Sequence, residues 1–382
     1  MGFRFILCGL VVLSSHALLA AEDLPLIPED IQLLPGSLLW DKLISVHAGY
    51  GYKDNVLLSP FIAEGSPFFV SGLEVTLMRL PVGGWQFAFD LEAEDIRYLQ
   101  RVDVNKEQTL MALSQFKKFF GDGWQSGANL IYFYQDQVQD VSLVEANLST
   151  ARVQGHNVTM RPFVRWDFAT NWWAQLEASG TRQLLRAPLD NFWEAGPRLT
   201  LARDYGHASE VRLSYWLFEE LFDTQNATDA SGNDLPGTSL TQLTHNIELR
   251  LDHYWDARRH WCTTALLGLA HNADNGAGYF NYWRYQTGGQ LAYRDDHWEI
   301  KGQIDLSYYD FPVRTASTVE QISPPGASKL HDATFELDVR AVRKLTKLLK
   351  IYAEFKRDRW LSNEAADAYL ANTVSGGLEL EF

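Results

Sequence analysis

The chain has 382 residues, of which 46% are hydrophobic, 13% aromatic and 21% charged, with 33 basic and 48 acidic side chains and a formal charge of −15. This composition is too apolar and aromatic for a disordered chain, and two cysteines are too few for a disulfide-stabilised scaffold. The acidic balance also argues against the basic surface that nucleic-acid binding requires.

The first 21 residues carry the pattern of a secretory signal peptide. Arg4 precedes an apolar stretch from Phe5 to Ala20. As a helix this stretch would span about 24 Å, which is short for a bilayer core of about 30 Å. Small residues, Ala20 and Ala21, close the stretch. We therefore predict export, with a signal peptide at 1–21.

Residues 22–39 are predicted to form a short periplasmic segment that contains Pro25, Pro28 and Pro35. Beyond the signal peptide no run of eighteen apolar residues follows, so no transmembrane helix is predicted. Cys262 is the one cysteine of the mature chain, which excludes an intramolecular disulfide. A chain of this kind needs extensive backbone pairing or a lipid environment for stability.

From residue 40 onward, apolar and polar residues alternate with a period of two. In Trp85 to Ala93, for example, aromatic and aliphatic residues take one parity and charged or polar residues take the other. A strand keeps the two sets on opposite faces, whereas a helix would mix them. Sixteen such segments can be delimited, at 40–52, 66–79, 85–99, 108–120, 124–138, 151–167, 172–186, 191–203, 208–221, 241–255, 260–271, 278–294, 297–310, 332–344, 349–361 and 369–382.

The length and even number of these segments predict the fold class. Strands of ten or more residues, apolar on one face and charged on the other, are typical of membrane barrels. We therefore predict an all-β fold over 40–382. It is a closed antiparallel transmembrane β-barrel of about 16 strands, within a range of 14 to 18, and both termini are periplasmic.

The connections between segments support this prediction independently. Those after even-numbered segments are short, such as P-V-G-G from Pro81 and G-D-G from Gly121. Those after odd-numbered segments are often long, including Thr224–Leu240 and Pro312–Lys329. Short periplasmic turns that alternate with longer outer loops are expected for a bacterial barrel.

Aromatic residues recur where the membrane interfaces would fall. Amphipathic rings favour the headgroup level, so two belts are predicted. The membrane girdle beside the short turns comprises Trp85, Trp124, Trp166, Trp172, Trp261, Tyr293 and Trp298. The belt toward the long loops comprises Tyr50, Tyr134, Trp193, Trp283, Tyr308 and Trp360.

The last segment alternates apolar residues up to the C-terminus, at Val374, Gly376, Leu378, Leu380 and Phe382. Here the chain resembles porin-like bacterial outer-membrane β-barrel proteins, whose final strand commonly ends in Phe. The resemblance implies an outer-membrane location, contact with outer-membrane lipid, and recognition by the barrel-assembly machinery with Phe382 as the assembly signal. A looser similarity is to barrel domains of polysaccharide exporters and surface-protein assembly modifiers. Those usually carry a helical-repeat region, for which the segment before the barrel is too short.

With the apolar faces turned toward lipid, the charged faces would line an aqueous lumen. The predicted acidic members outnumber the basic ones; they are Asp90, Glu92, Glu94, Glu177, Glu194, Glu210, Glu248, Asp252, Asp305, Glu336, Asp338, Glu354 and Glu379. The basic members are Arg161, Arg165, Arg198, Arg212, Arg250, Lys301, Arg340 and Lys356. Most can form mutually satisfied cross-strand pairs. The acidic surplus, densest at Asp90, Glu92 and Glu94, predicts a preference for cations.

Two weaker patterns have simpler explanations. His245 and His271 fall nearly opposite each other on adjacent strands and could hold a metal or a lipid phosphate, although a rim histidine is more often an interface residue. The loop Asp223–Asp234 offers oxygen ligands for Ca²⁺ but lacks EF-hand spacing, which favours a solvated loop. No metal and no other cofactor is predicted.

No catalytic motif is present in the sequence. Neither G-x-S-x-G nor H-E-x-x-H occurs, and although Asp274 and Asp310 could supply an acid, nothing places a nucleophile beside His271. We therefore predict a protein that is not an enzyme.

The resulting prediction is a channel for passive or loop-gated passage of small hydrophilic solutes. The alternatives are a barrel for export or assembly of a surface polymer or protein, a lipid hydrolase with its site at the rim, and a structural or adhesive barrel. No strand face identifies an oligomer contact, so the oligomeric state stays open.

Overall fold

The computed structural model describes residues 40–100, 106–142, 149–187, 189–316 and 328–382. The predicted signal peptide and the segment 22–39 lie outside these residues. Within them, no helix is long and apolar enough to cross a membrane. A single 3₁₀ turn, Ala365–Asp367, is found there beside sixteen strands: β1 Trp40–Lys53, β2 Ser66–Val82, β3 Trp85–Tyr98, β4 Lys106–Phe119, β5 Trp124–Asp140, β6 Thr150–Ala169, β7 Trp172–Leu185, β8 Phe192–Tyr205, β9 Ser209–Thr228, β10 Asp234–Tyr254, β11 Trp261–Asp274, β12 Tyr282–Arg294, β13 Trp298–Thr315, β14 Lys329–Lys344, β15 Leu349–Ser362 and β16 Tyr369–Glu381.

The strands close into one barrel. Each strand pairs with its neighbours in sequence, and β1 pairs antiparallel with β16. At this seam the backbone N–H of Phe382 donates to the carbonyl of Ile44 at 2.8 Å, and the N–H of Ile44 donates back at 3.2 Å. Closure leaves no strand edge unpaired, as a hydrocarbon environment requires. The predicted sixteen-stranded closed antiparallel barrel is confirmed.

The period-two pattern of the sequence separates the two faces of the barrel wall. Leu176, on the outer face, has 60% of its surface exposed, whereas its neighbour Glu177, on the inner face, has 5%. The strands are 13 to 21 residues long. Thirteen residues at about 3.4 Å each reach about 44 Å, enough for a strand tilted by about 40° to cross an apolar band of about 25 Å.

The connections differ at the two ends of the barrel, as predicted. After even-numbered strands they contain two to six residues, and after odd-numbered strands they contain five to thirteen. One of the two shortest, with two residues, is Gly83–Gly84, where both residues have positive φ, +62° and +78°. Two positive φ angles define the type I′ turn that matches strand twist, and glycine adopts them without strain. We call the two ends the short-turn end and the long-connection end.

Two predicted loops are partly strand. The predicted loop Thr224–Leu240 shrinks to 229–233, because β9 and β10 extend beyond the apolar band and stay paired through two register shifts. The Asp229 carboxylate closes this hairpin by accepting the backbone N–H groups of Ser231 and Asn233 at 2.8 and 3.0 Å. Likewise, β13 reaches Thr315 inside the predicted loop Pro312–Lys329, while 317–327 lie outside the described residues. Pairing with a neighbouring strand outweighs weak strand propensity here.

Candidate functional site: the charged inner face of the barrel

The pairing register places the predicted charged side chains on the inner face. All twenty-one predicted charged residues, thirteen acidic and eight basic, share the parity that points inward on their strands. Cross-strand partners have the same facing, so one fixed residue on each strand determines the others. Their role as the wall of a conducting path stays a prediction.

Four carboxylates form a stripe on β2 and β3, which we call the acid wall: Glu74, Asp90, Glu92 and Glu94. Glu74 lies directly opposite Glu92, and the β4 partners of Asp90, Glu92 and Glu94 carry no charge. Thr76 donates its hydroxyl to Asp90 Oδ1 at 2.7 Å. The side chain of Glu92 is exposed to the lumen. At Glu92 the acid wall therefore faces accessible space.

Basic side chains on β13, β14 and β15 lie within electrostatic range of this wall. Glu92 interacts with the charges of Lys356, Arg340 and Lys301. Arg340 also donates to Glu379 at 3.2 Å, and Lys356 pairs with Glu354 at 3.2 Å. The space between the acid wall and these bases is thus crossed by a strong local field.

The arginines of β6 to β10 are held more tightly. Arg161 and Arg250 are only 8% and 5% exposed. Arg250 and Arg212 both reach Asp252, each at 3.1 Å. Arg198 stacks over the ring of Trp216, with its guanidinium carbon 4.3 Å from the centroid. These cations are paired with, or stacked on, neighbouring side chains of the wall. The charges that remain accessible from the lumen therefore lie mainly on the other side of the barrel, on β2, β3 and β13 to β15.

Two inner-face residues, Glu74 and Trp173, were not predicted from the sequence. Glu74 was not assigned because Pro67 to Val70 is apolar at both parities. The alternation within β2 therefore did not show which residues point inward, and only the pairing with β3 does. Trp173 is 6% exposed and lies beneath the Arg165 guanidinium at 4.1 Å from its centroid. Because Trp172 and Trp173 are adjacent and both aromatic, the sequence does not indicate which of the two points inward.

The long β1–β2 connection folds over the inner face. Val56 and Leu57 are 1% and 9% exposed, in a cluster with Phe68, Val70 and Tyr98. Polar contacts tie the same loop to β16, the partner of β1, and to β5. The Asp54 carboxylate accepts the side-chain amide of Asn372 on β16 at 2.7 Å, and Ser59 donates to Asp140 on β5 at 2.5 Å. The connection therefore follows the rim from β16 to β5 and folds inward over β2 and β3.

Beside this cluster lies a lumenal cavity of about 160 Å³. It borders Glu94 of the acid wall, Lys356, and the ion pair in which Lys53 Nζ lies 2.9 Å from Glu107 Oε1. Tyr98 donates its hydroxyl to the same carboxylate at 2.8 Å. The cavity thus offers both signs of charge and hydrogen-bonding groups to a small polar solute.

A second polar cluster lies at the long-connection end, where Arg314 is 3.7 Å from Glu364, and both side chains are buried. Asp332 and Asp367 are within electrostatic range of this pair. Burial, reinforced by Glu364, raises the pKa of Asp367 from 3.8 to about 8. The folded state therefore binds the Asp367 proton more tightly than the unfolded chain does.

This shift predicts a pH-dependent connection between β15 and β16. The carboxyl is ionised in the unfolded chain above pH 3.8, so local stability falls as the pH rises from there to about 8. We expect amide hydrogen exchange in 363–368, corrected for intrinsic rates, to be faster at pH 9 than at pH 6. Asp367→Asn should remove the difference, and an unchanged difference would contradict this assignment.

The predicted membrane girdle forms ring contacts across neighbouring strands. The rings of Trp124 and Trp166 stack with centroids 5.4 Å apart, and Trp261 lies 4.6 Å from Tyr293. Lys118 places its ammonium 4.2 Å above the Trp85 ring. Trp172 and Trp298 similarly lie beneath Arg203 and Arg343. Paired rings and cations of this kind suit a membrane interface.

One residue of the second predicted belt is misplaced. Trp360 has inward parity, is 6% exposed and lies against Tyr369 with centroids 6.4 Å apart, so it does not face lipid. By contrast, Tyr50 and Trp193 are 57% and 54% exposed on the outer face. The position of Trp360 near a loop predicted an interface role, but parity along β15 decides the facing.

His245 and His271 are direct cross-strand partners on the outer face. His245 Nδ1 is 2.8 Å from the Tyr215 hydroxyl, and the His271 ring lies 4.3 Å from that of Trp283. In the described part of the chain, no group of three or more His, Cys, Asp or Glu side chains is arranged to hold a metal. The two imidazoles are accounted for by aromatic neighbours at the rim.

Comparison with known proteins gives no assignment by sequence, since no protein-family profile and no curated protein matches the chain. Three solved structures are similar in architecture. OccAB1 of Acinetobacter baumannii aligns over 90% of this chain and 96% of its own, with a TM-score of 0.46 and 9% identity. A bacterial polysaccharide outer membrane secretin covers 89% and 97% (TM-score 0.41, 9% identity), and an anion-selective porin from Comamonas acidovorans covers 90% and 99% (TM-score 0.42, 10% identity). Similarity at this level says nothing about the function of this chain.

Proposed function

We propose that this protein is an outer-membrane channel for passive passage of small hydrophilic solutes. One observation carries the proposal: a closed ring of sixteen strands has many exposed apolar side chains on its outer face and a large set of charged side chains on its inner face. Such a wall places a hydrophilic interior inside hydrocarbon without unpaired backbone groups. Phe382 is 62% exposed at the seam and available to the barrel-assembly machinery.

The channel prefers cations in this proposal. The acid wall contains the lumen-exposed Glu92 and is flanked on β4 by uncharged side chains, whereas Arg161 and Arg250 are buried against the opposite wall. Carboxylates that face water set the mean potential of a pore more strongly than cations that are desolvated and paired.

Passage is gated by the β1–β2 connection. Its apolar anchor, Val56 and Leu57, rests on three inner-face side chains, and its polar ties reach β16 and β5. An ordered connection that folds inward over β2 and β3 narrows the entrance, and its displacement widens it.

The function is tested by reconstituting the full chain in liposomes and in planar bilayers. We expect small uncharged sugars to enter the liposomes, and a KCl gradient to give a reversal potential of the sign that marks cation selectivity. Sugar-impermeable liposomes together with silent bilayers would contradict the channel. A conducting, anion-selective barrel would leave the channel standing and refute the cation preference.

The gate makes a separate prediction. Val56→Ser with Leu57→Ser removes two apolar side chains from the cluster at a cost of about 2–3 kcal/mol each, so the connection should detach while the barrel stays folded. Single-channel recordings should then show fewer closures and a larger mean conductance. Ile44→Ser with Val46→Ser, an equal apolar loss on β1 itself, is the control and should leave gating unchanged.

A further inference from the structure

A strip of charged and amide side chains lies on the outer face of the barrel, at the long-connection end of β3 to β7. We call it the outer strip; it comprises Asp95, Arg97, Lys106, Gln108, Asp136, Arg152, Gln154 and Arg186. Parity gives the facing of its strand residues, since Tyr98 beside Arg97 is inward and 6% exposed. None of its strand residues belongs to the lumen.

The members of the outer strip form a connected hydrogen-bonded network. Arg152 binds Asp136 in a bidentate manner, with Nε at 2.6 Å from Oδ1 and Nη2 at 2.5 Å from Oδ2. Lys106 Nζ lies 3.2 Å from the same carboxylate and 2.6 Å from Gln108 Oε1. Gln108 in turn donates to Asp95 at 2.6 Å, and Asp95 pairs with Arg97 at 2.6 Å.

The charge of the outer strip is opposite to that of the chain. Four bases, Arg97, Lys106, Arg152 and Arg186, stand against two acids in a protein of formal charge −15. Asp136 is 1% exposed beneath Lys106 and Arg152, so one buried carboxylate positions two cations. The side chains of Arg97 and Arg152 remain 48% and 39% exposed. The outward surface is therefore cationic.

The position of the outer strip relative to the apolar band is that of a lipid headgroup. On β5 and β6 the residues next toward the barrel middle are Tyr134 and His156, whose rings lie 5.0 Å apart. Below them come Leu130, Val158 and Met160, which are 50%, 41% and 55% exposed. An apolar zone, an aromatic row and then a cationic row reproduce the order of acyl chain, interface and phosphate.

We propose that the outer strip binds the headgroup of a phosphorylated glycolipid. Its cations on β3, β4 and β6 span three strand spacings, about 14 Å, which exceeds the width of one phosphate. Lys106 and Arg152 take one phosphate, Arg97 takes a second, and the amides Gln108 and Gln154 bond sugar hydroxyl groups between them. The inference rests on the proposed membrane location and is independent of conductance.

The test measures lipid retention by native mass spectrometry of the full chain, offered a bis-phosphorylated diglucosamine lipid, phosphatidylglycerol or phosphatidylcholine. The wild type should retain the glycolipid preferentially. The variant Arg97→Ala/Lys106→Ala/Arg152→Ala should retain it at least about tenfold less, because each basic group near a charged lipid contributes severalfold. Arg97→Ala alone, at an exposed side chain, should give an intermediate loss.

The control removes three cations from the outer face at the other end, Lys118→Ala/Arg203→Ala/Arg343→Ala, each of which lies over a girdle tryptophan. It should retain the glycolipid like the wild type. Equal retention by the outer-strip variants, an equal loss in the control, or equal binding of phosphatidylglycerol would overturn the proposal. Conductance of the outer-strip variant should be unchanged, which separates this test from that of the channel.

Discussion

Gly377→Val should unfold or fail to assemble the barrel at its seam. A Cβ at residue 377 would lie 2.2 Å from the carbonyl oxygen of Ala48 and 2.6 Å from the Cα of Gly49. These are backbone atoms of the neighbouring strand, so relief requires β1 to move away from β16. Overpacking of this kind lowers the free energy of unfolding by about 3 kcal/mol or more. At this position it also opposes the β1–β16 pairing that closes the barrel.

The neighbouring residues at the seam leave no room for the added side chain. Gly49 is the direct partner of Gly377, and a Cβ on Gly49 would lie 2.3 Å from the Tyr352 hydroxyl that fills the space between them. Lys350 on β15 also bonds Glu379 at 2.9 Å, which holds the adjacent strand in register. The small residues at this point are required by packing, not by backbone angle.

Urea unfolding of the refolded protein, followed by tryptophan fluorescence and by gel mobility of unheated samples, measures the effect. The matched control is Gly180→Val on β7, where an added Cβ meets nothing within 4 Å. We expect the control to fold with a midpoint close to the wild type. A Gly377→Val protein as stable as the control would show that the β1–β16 pairing described here is wrong.

Neutralising the acid wall should have the largest effect on selectivity. In Glu74→Gln/Glu92→Gln/Glu94→Gln the shape of the wall is kept and three charges are removed from accessible lumen. Since Lys301, Arg340 and Lys356 lie within range of Glu92, their positive potential is then offset by three fewer carboxylates, with Glu379 still paired to Arg340 and Glu354 to Lys356. We expect the cation-to-anion permeability ratio to fall by at least about twofold, measured as reversal potential under a KCl gradient.

A control with the same change in net charge isolates the position of those carboxylates. Glu219 lies on the outer face, and Asp122 and Asp296 lie in short turns. The variant Glu219→Gln/Asp122→Asn/Asp296→Asn should keep the wild-type reversal potential. An equal shift in both variants would mean that net charge, rather than the acid wall, sets selectivity.

Much of the barrel could be predicted from the sequence because one physical rule acts on every strand. Hydrocarbon outside and water inside impose alternation, so Phe87 and Leu91 indicate the facing of Asp90 and Glu92 without knowledge of any partner. The turns could also be predicted where adjacent glycines mark a tight reversal of the chain, as at Gly83–Gly84.

The features that were not predicted are those on which the alternation of apolar and polar residues gives no information. Beyond the apolar band, strands β9 and β10 continue because they pair with each other, and polar residues such as Asn226 and Ser239 give no alternation to reveal it. Contacts around the circumference, such as Asp54 with Asn372 or Glu92 with Lys356, depend on closure and on barrel cross-section. Those distances follow from no local pattern.

Thiol labelling along β3 is the decisive measurement of which face of the barrel wall is in contact with water. In a Cys262→Ser background, single cysteines at Leu91, Glu92, Ala93 and Glu94 are exposed in proteoliposomes to a membrane-impermeant maleimide. We expect alternation: cysteines at positions 92 and 94 react from the aqueous lumen, and those at positions 91 and 93 are shielded by lipid. Uniform reactivity at all four positions, or the opposite alternation, would contradict a hydrophilic lumen enclosed by an apolar outer wall.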